Sequence, residues 1–136
     1  MTAQGLEVID HTVHLTHEWI NELAERLDWT SKQNTLHLLR AMLHQVRDHL
    51  LVDELAQFSA QLPLLIRGMM FEEWVPKNTP IKQRKTEDIE SHIRSELGDS
   101  FEYRGLGDII TVFELLNARL SAGEVNDIRA CLPVAL

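Results

Sequence analysis

The chain holds a single cysteine, no apolar run long enough to cross a bilayer, and only 13 lysine and arginine residues against 21 aspartate and glutamate. One thiol cannot form an intramolecular bridge. Cys131 sits among Ala130, Leu132 and Pro133, so it reads as a small buried hydrophobe in a reducing compartment and not as a reactive nucleophile. Without roughly 18 consecutive apolar residues no transmembrane helix is expected. The start, MTAQGLEVIDHTVHLTHEW, lacks the basic and apolar regions of a secretory leader. Together these lead to the expectation of a soluble, cytoplasmic protein. The formal charge of −8 repels phosphate backbones and anionic lipid, so neither nucleic acid nor a membrane is expected as a partner. The one basic run, Lys77, Lys82, Arg84 and Lys85, carries no interleaved aromatics and is followed by Glu87, Asp88 and Glu90, which suits a solvated linker. No glycine-rich phosphate loop, no Cys/His metal spacing and no complete nucleophile–base set occurs. Enzyme function is therefore the least expected class, and no cofactor is expected.

What is present is helical periodicity. With 136 residues, 44% of them hydrophobic, the chain suits one domain over residues 1–136 that buries about two-thirds of its unfolded surface. Its densest apolar stretch is Thr35 to Trp74. Residues 1–15 fit a helix or an extended segment equally. Thr16 is expected to cap a helix ending near Asp28, with Trp19, Ile20, Leu23, Ala24 and Leu27 on one face. Ser31 caps a second helix striped by Leu36, Leu39, Leu43, Val46 and Leu50. Asp53 is expected to cap a short third helix with Leu55, Phe58 and Ala60 inward. Pro63 opens a fourth, Pro63 to Glu73, with Leu62, Leu65, Ile66, Met69 and Met70 apolar. Gly68 inside it implies a close backbone approach or an early end. After the linker 75–85, Thr86 is expected to cap a helix stopped by Gly98. A stripe from Ile109 to Leu120 follows, then a last short helix from Gly123 to Leu132.

Laid over each other at an offset of 70, the halves match without a gap: Thr16 with Thr86, Trp19 with Ile89, Leu43 with Phe113, Glu54 with Glu124, Ala60 with Ala130, and Leu62-Pro63 with Leu132-Pro133. Matched caps and a matched Leu-Pro go beyond what shared periodicity supplies. The expected architecture is all-α, a pseudo-symmetric helical bundle of two repeated three-helix units. Repeat 1 spans about 16–74 and repeat 2 about 86–136, and the first unit carries an extra helix.

Leu43-His44, Arg47-Asp48, Ala60-Gln61-Leu62-Pro63, Arg67-Gly68, Trp74 and Pro76, in this order and spacing, resemble a bacterial family known only as a domain of unknown function, family number 2267. The resemblance covers nearly the whole chain. It implies an all-α bacterial protein, globin-like in helix arrangement without being a haem protein, and no established activity. The chain departs from the pattern at His49, where the family often has arginine, at Leu51, where it often has proline, and at Glu73, where it often has glycine.

Several polar residues stand out as interaction or ligand-binding candidates: His44, Arg47, Asp48, Gln61, Arg67 and Trp74. His37 and His44 share one helix face with Arg40 between them. Asp48, four residues after His44, is placed to fix its tautomer as half of a general-base arrangement, or to pair with Arg47 or Arg67. Gln61 is placed to accept from the free N–H groups of the proline-started helix, Arg67 to hold an anion or extend along apolar surface, and Trp74 to seal the core. His11, His14 and His17 are weak metal candidates with Glu18. The leading expectation is protein–protein contact or self-association, motivated by the unrepeated fourth helix with Met69 and Met70. The alternative is a metal- or small-anion-binding protein using His44, Asp48 and Arg67, or the N-terminal histidines.

Overall fold

The structure, a computed structural model, describes residues 5–82, 85–98 and 102–131. Arg84, Leu132 and Pro133 lie outside the described residues, as do the side chains of Glu124, Ala130 and Cys131. The elements are α1 (Glu7–Leu27), α2 (Lys32–His49), α3 (Val52–Ala60), α4 (Leu64–Met70), a short 3-10 turn (Pro76–Asn78), α5 (Thr86–Leu97), α6 (Leu106–Arg119) and α7 (Ala122–Cys131). Among the described residues there is no strand.

Helix α1 starts nine residues before the expected cap. Thr16 lies mid-helix and buried, and its hydroxyl donates back to Thr12 O at 2.7 Å. A threonine hydroxyl satisfied inside a helix need not cap one. Glu7 and Asp10 in the first turn favour the helix N-terminus electrostatically. At the other end Asp28 adopts the left-handed conformation, φ 60, and the N–H groups of Asp28 and Trp29 close on Glu25 O and Ala24 O, which stops the helix.

Helix α2 is the centre of the bundle. Ten of its 18 residues are buried, and it packs against α1, α4, α5 and α6. Ser31 caps it as expected, its side chain accepting from Asn34 N at 3.1 Å. A second cap comes from far along the chain: Glu102 accepts from Thr30 N at 2.8 Å and Ser31 N at 3.2 Å. The Thr30 N–H is the main reason the Glu102 carboxyl is held below its usual range. The core packed around α2 includes Leu38, Leu39, Leu43 and Val46, Phe58 of α3, Ile66 and Met70 of α4, Ile93 of α5, and Ile109, Val112 and Phe113 of α6.

Other starts differ from the sequence reading. Helix α3 begins at Val52 after Leu51, not at Asp53, and Thr86 is the first residue of α5 with Lys85 before it. Ala60 is exposed and Ser59 takes the inward place. Helix α4 is only seven residues long; Ile66 and Met70 are buried while Leu65 is 39% exposed. A Cβ on Gly68 would meet nothing within 4 Å, so the early end, not a close approach, is what its presence marks. Segment 75–85 is more than a spacer, because Ile81 N donates to Asp48 O at 2.7 Å and ties it across the end of α2. Lys77, Lys82 and Lys85 on it are exposed.

Two ion-pair groups lock α6 to α1. The Asp108 carboxylate, 2% exposed, accepts from Arg104 N at 2.7 Å and from its guanidinium, which also donates to Leu27 O at the end of α1. Glu22 of α1 accepts from Arg119 of α6 and from Arg26, both at 2.9 Å. Burial alone would raise the Glu22 carboxyl, but the hydrogen bonds from Arg119 and Arg26 outweigh it and hold it below its ordinary value. A depressed folded-state value means that the stabilisation is present above the unfolded glutamate value, near 4.3, and is lost as pH falls through the folded one. Glu22→Gln is accordingly expected to lower the urea midpoint at neutral pH, and the variant and wild-type midpoints to converge as pH drops below about 4.

Candidate functional site

His37, Arg40 and His44 recur at i, i+3 and i+7 along α2, which brings them to one face of the helix. That face forms one wall of a cavity of ≈ 310 Å³; the opposing walls are Glu72 and Glu73, in the segment leaving α4, and Glu96 near the end of α5. Three elements distant in sequence thus converge on it. Arg40 reaches across to Glu72 in a 2.8 Å ion pair, with side chains 34% and 44% exposed.

The glutamate wall is held in place from α2. His44 Nε2 lies 2.9 Å from Met69 O. A carbonyl can only accept, so Nε2 carries the hydrogen and, in the neutral ring, Nδ1 keeps its lone pair. Arg47, 5% exposed, donates from Nη1 to Met70 O at 2.8 Å and to Glu72 O at 2.7 Å, and from Nε and Nη2 to Asp48 at 2.8 and 3.1 Å. One guanidinium therefore terminates α4, fixes the following turn and pairs its neighbouring carboxylate. The arrangement in which Asp48 sets the His44 tautomer is corrected: Met69 O sets it, and Asp48 faces Arg47.

Glu73 follows with φ 59, in the left-handed region. For a glutamate this conformation costs about 1–2 kcal/mol, whereas glycine adopts it freely. Leu51 has φ −66 and ψ 154 and follows an extended Leu50, a backbone that proline fits, but its N–H donates to Glu54 Oε1 at 3.4 Å, a bond proline cannot make. Glu73→Gly is expected to raise the unfolding free energy by up to about 1 kcal/mol, the strain relieved less the extra chain entropy glycine loses on folding, and Leu51→Pro to lower it because it deletes that donor; both are read from urea midpoints, and only Glu73→Gly removes a group from the cavity.

The remaining sequence candidates serve the frame. Arg67 donates to Ser59 O at 2.8 Å, Leu62 O at 3.1 Å and Ala60 O at 3.4 Å, so it closes the carbonyl end of α3. Gln61 clamps the start of α7, donating to Ser121 Oγ and accepting from Ser121 N at 3.1 Å. It is Thr12 Oγ1 of α1 that accepts from the first turn of α4, at Leu65 N, 3.0 Å. Trp74 is partly buried against the core and its ring meets Phe71 at 5.2 Å between centroids. Of His44, Asp48 and Arg67, only His44 lines the cavity. His11, His14 and His17 are all exposed, with His14 3.4 Å from Glu18; among the described residues no group of three or more His, Cys, Asp or Glu is placed to hold a metal ion. Glu72, Glu73 and Glu96 were not among the site candidates read from sequence. Glu96 depends on α5 packing against α2, which periodicity within one helix does not encode.

A second surface lies between α1 and α4, an apolar groove of ≈ 350 Å³ lined by Thr12, Leu64, Leu65, Gly68, Met69 and Glu72. On α1, Val13 and Ile20 lie seven residues apart on one face, and Leu6 precedes the helix in an extended conformation. The body covers Ile20, at 8% exposure, but leaves Val13 at 40% and Leu6 at 52%.

Among the described residues no helix is long and apolar enough to cross a membrane. No curated protein matches the chain in sequence. The family model described as "Uncharacterized conserved protein (DUF2267)" matches residues 16–136, the span that holds α2, the Arg47 tie and every residue lining the cavity. This all-helical chain therefore belongs to the DUF2267 family of uncharacterized conserved proteins.

Proposed function

We propose that the protein is a small-ligand-binding helical domain whose site is the polar cavity between α2, the exit of α4 and α5. The observation that carries this reading is the convergence of Arg40 and two histidines from one helix with three carboxylates from two other segments around ≈ 310 Å³ of space. That volume lies at the lower end of the ligand-site range of roughly 300–1,000 Å³, so the ligand is compact. Glu73 supports it, because a left-handed glutamate at the cavity edge is local strain of the kind that collects at binding sites. Binding is favoured over catalysis, since His44 is engaged with Met69 O and Asp48 with Arg47. The test is a thermal-shift screen of polar metabolites on the untagged protein and on Arg40→Met. A ligand at a hundred times its Kd adds about 2.7 kcal/mol, and the shift should vanish in the variant. A screen with no shift, or with equal shifts in both proteins, overturns the proposal.

A second reading, self-association, is favoured by the exposed apolar side chains of Leu6, just before α1, and Val13 on it. The methionines do not carry it, because Met70 is fully buried and Met69 partly so. Sedimentation velocity over a concentration series, repeated on Val13→Glu, tests it: a strict monomer at all concentrations rules it out. We also read α1–α3 and α5–α7 as copies of one unit, a reading supported by the ungapped offset of 70 that pairs α1 with α5, α2 with α6 and α3 with α7.

A further inference from the structure

The two sides of the cavity differ in sign. Every group from α2 is basic or imidazole, namely His37, Arg40 and His44, and every group opposite is a carboxylate, namely Glu72, Glu73 and Glu96. A simple anion drawn to Arg40 would face three glutamates, and a simple cation drawn to the glutamates would face Arg40, so a ligand of one charge is repelled by one wall or the other. A compact molecule carrying both charges on adjacent atoms satisfies both. We propose that the ligand is a small zwitterion of the α-amino-acid type, its carboxylate on Arg40 and its ammonium among Glu72, Glu73 and Glu96. The inference rests on the cavity reading above and specifies its ligand.

The Arg40–Glu72 pair shows the exchange this requires. It spans the two walls at 2.8 Å with both side chains a third or more exposed, and ion pairs of that exposure are held weakly. A ligand carboxylate can replace Glu72 on the guanidinium, where a bidentate fork suits it better than a single contact. The Glu72 carboxylate so released lies on the wall that takes the ammonium. The backbone beneath does not have to move, because Arg47 holds Glu72 O and Met70 O, and His44 holds Met69 O. His37 and the Nδ1 of His44 are left to read the polar part of a side chain. The cavity volume of ≈ 310 Å³ is enough to admit one amino acid.

Isothermal titration calorimetry decides it. Each of the proteinogenic amino acids is titrated singly into the full chain at millimolar concentration, followed by the decarboxylated amine and the deaminated acid of the best binder. The expected result is saturable binding of the amino acid at least about tenfold tighter than either single-charge analogue, since a site built for a polar group rejects the analogue lacking it. Arg40→Met and Glu96→Gln should each weaken it by a similar factor with unchanged thermal midpoints, and Arg40→Lys, which keeps charge but loses the fork, should fall between wild type and Arg40→Met. An amine or an acid that binds as tightly as the amino acid, and is lost in Arg40→Met or Glu96→Gln, overturns the zwitterion while leaving the cavity reading standing. No saturable heat from any of the three compound classes, together with a blank polar-metabolite screen, overturns both.

Discussion

Arg47→Ala is expected to destabilise the fold by about 3–5 kcal/mol, the range for removing one member of a buried, hydrogen-bonded ion pair. The side chain is nearly inaccessible and serves three acceptors at once: the carbonyls of Met70 and Glu72 and the Asp48 carboxylate. Truncation leaves the buried Met70 carbonyl at the end of α4 and the part-buried Glu72 carbonyl of the following turn without this donor, the buried one worth about 1–3 kcal/mol when unpaired, and leaves Asp48 without its counter-charge. Asp48 is partly hydrated, so the carbonyls dominate the loss. Arg47→Lys keeps the charge but cannot present the same planar set of donors, and should recover less than half of the stability. Urea unfolding followed by circular dichroism checks both. A loss below about 1 kcal/mol for Arg47→Ala would show that α4 and the turn after it do not depend on this guanidinium. The same variant should also weaken the cavity, since Glu72 and Glu73 sit on the turn that Arg47 anchors.

Phe113→Ala is expected to cost about 3–5 kcal/mol through the cavity it opens. Phe113 is 1% exposed on α6, a helix that packs against α1, α2 and α7, so no single neighbour can collapse into the space. Phe113→Leu, which keeps most of the volume, should cost under about 1.5 kcal/mol. Urea midpoints measured at constant slope separate the two. An alanine variant as mild as the leucine one would mean that the α1–α2–α6 core relaxes freely around position 113.

Why some features could be read from the chain and others could not follows from the range over which each is determined. Ser31 capping α2, the buried stripe from Leu39 to Val46, the end of α1 near Asp28 and the start of α4 at Pro63 are local, and each follows from the residue types at and around its position. Thr16 misled because a threonine hydroxyl can bond within a helix as well as cap one, and the Thr12 carbonyl was available four residues back. The helix face bearing His37, Arg40 and His44 was legible because periodicity fixes faces within a helix. Its carboxylate counterpart was not, since Glu72, Glu73 and Glu96 reach the cavity only through the packing of α4 and α5 on α2. Arg67, Gln61 and Glu102 make the same point from the frame. Their carbonyl and amide partners at the ends of α3, α7 and α2 are backbone groups, which carry no sequence signature.

The cavity claim is tested most directly by a two-dimensional amide NMR titration of the full chain with a mixture of free amino acids at millimolar concentration. Saturable shifts are expected, confined to α2 from His37 to His44, to Glu72 and Glu73, and to the end of α5 at Glu96, all lost in Arg40→Met. Shifts clustered instead along the α1–α4 groove at Thr12, Leu65 and Gly68, or no shifts at all, would contradict it.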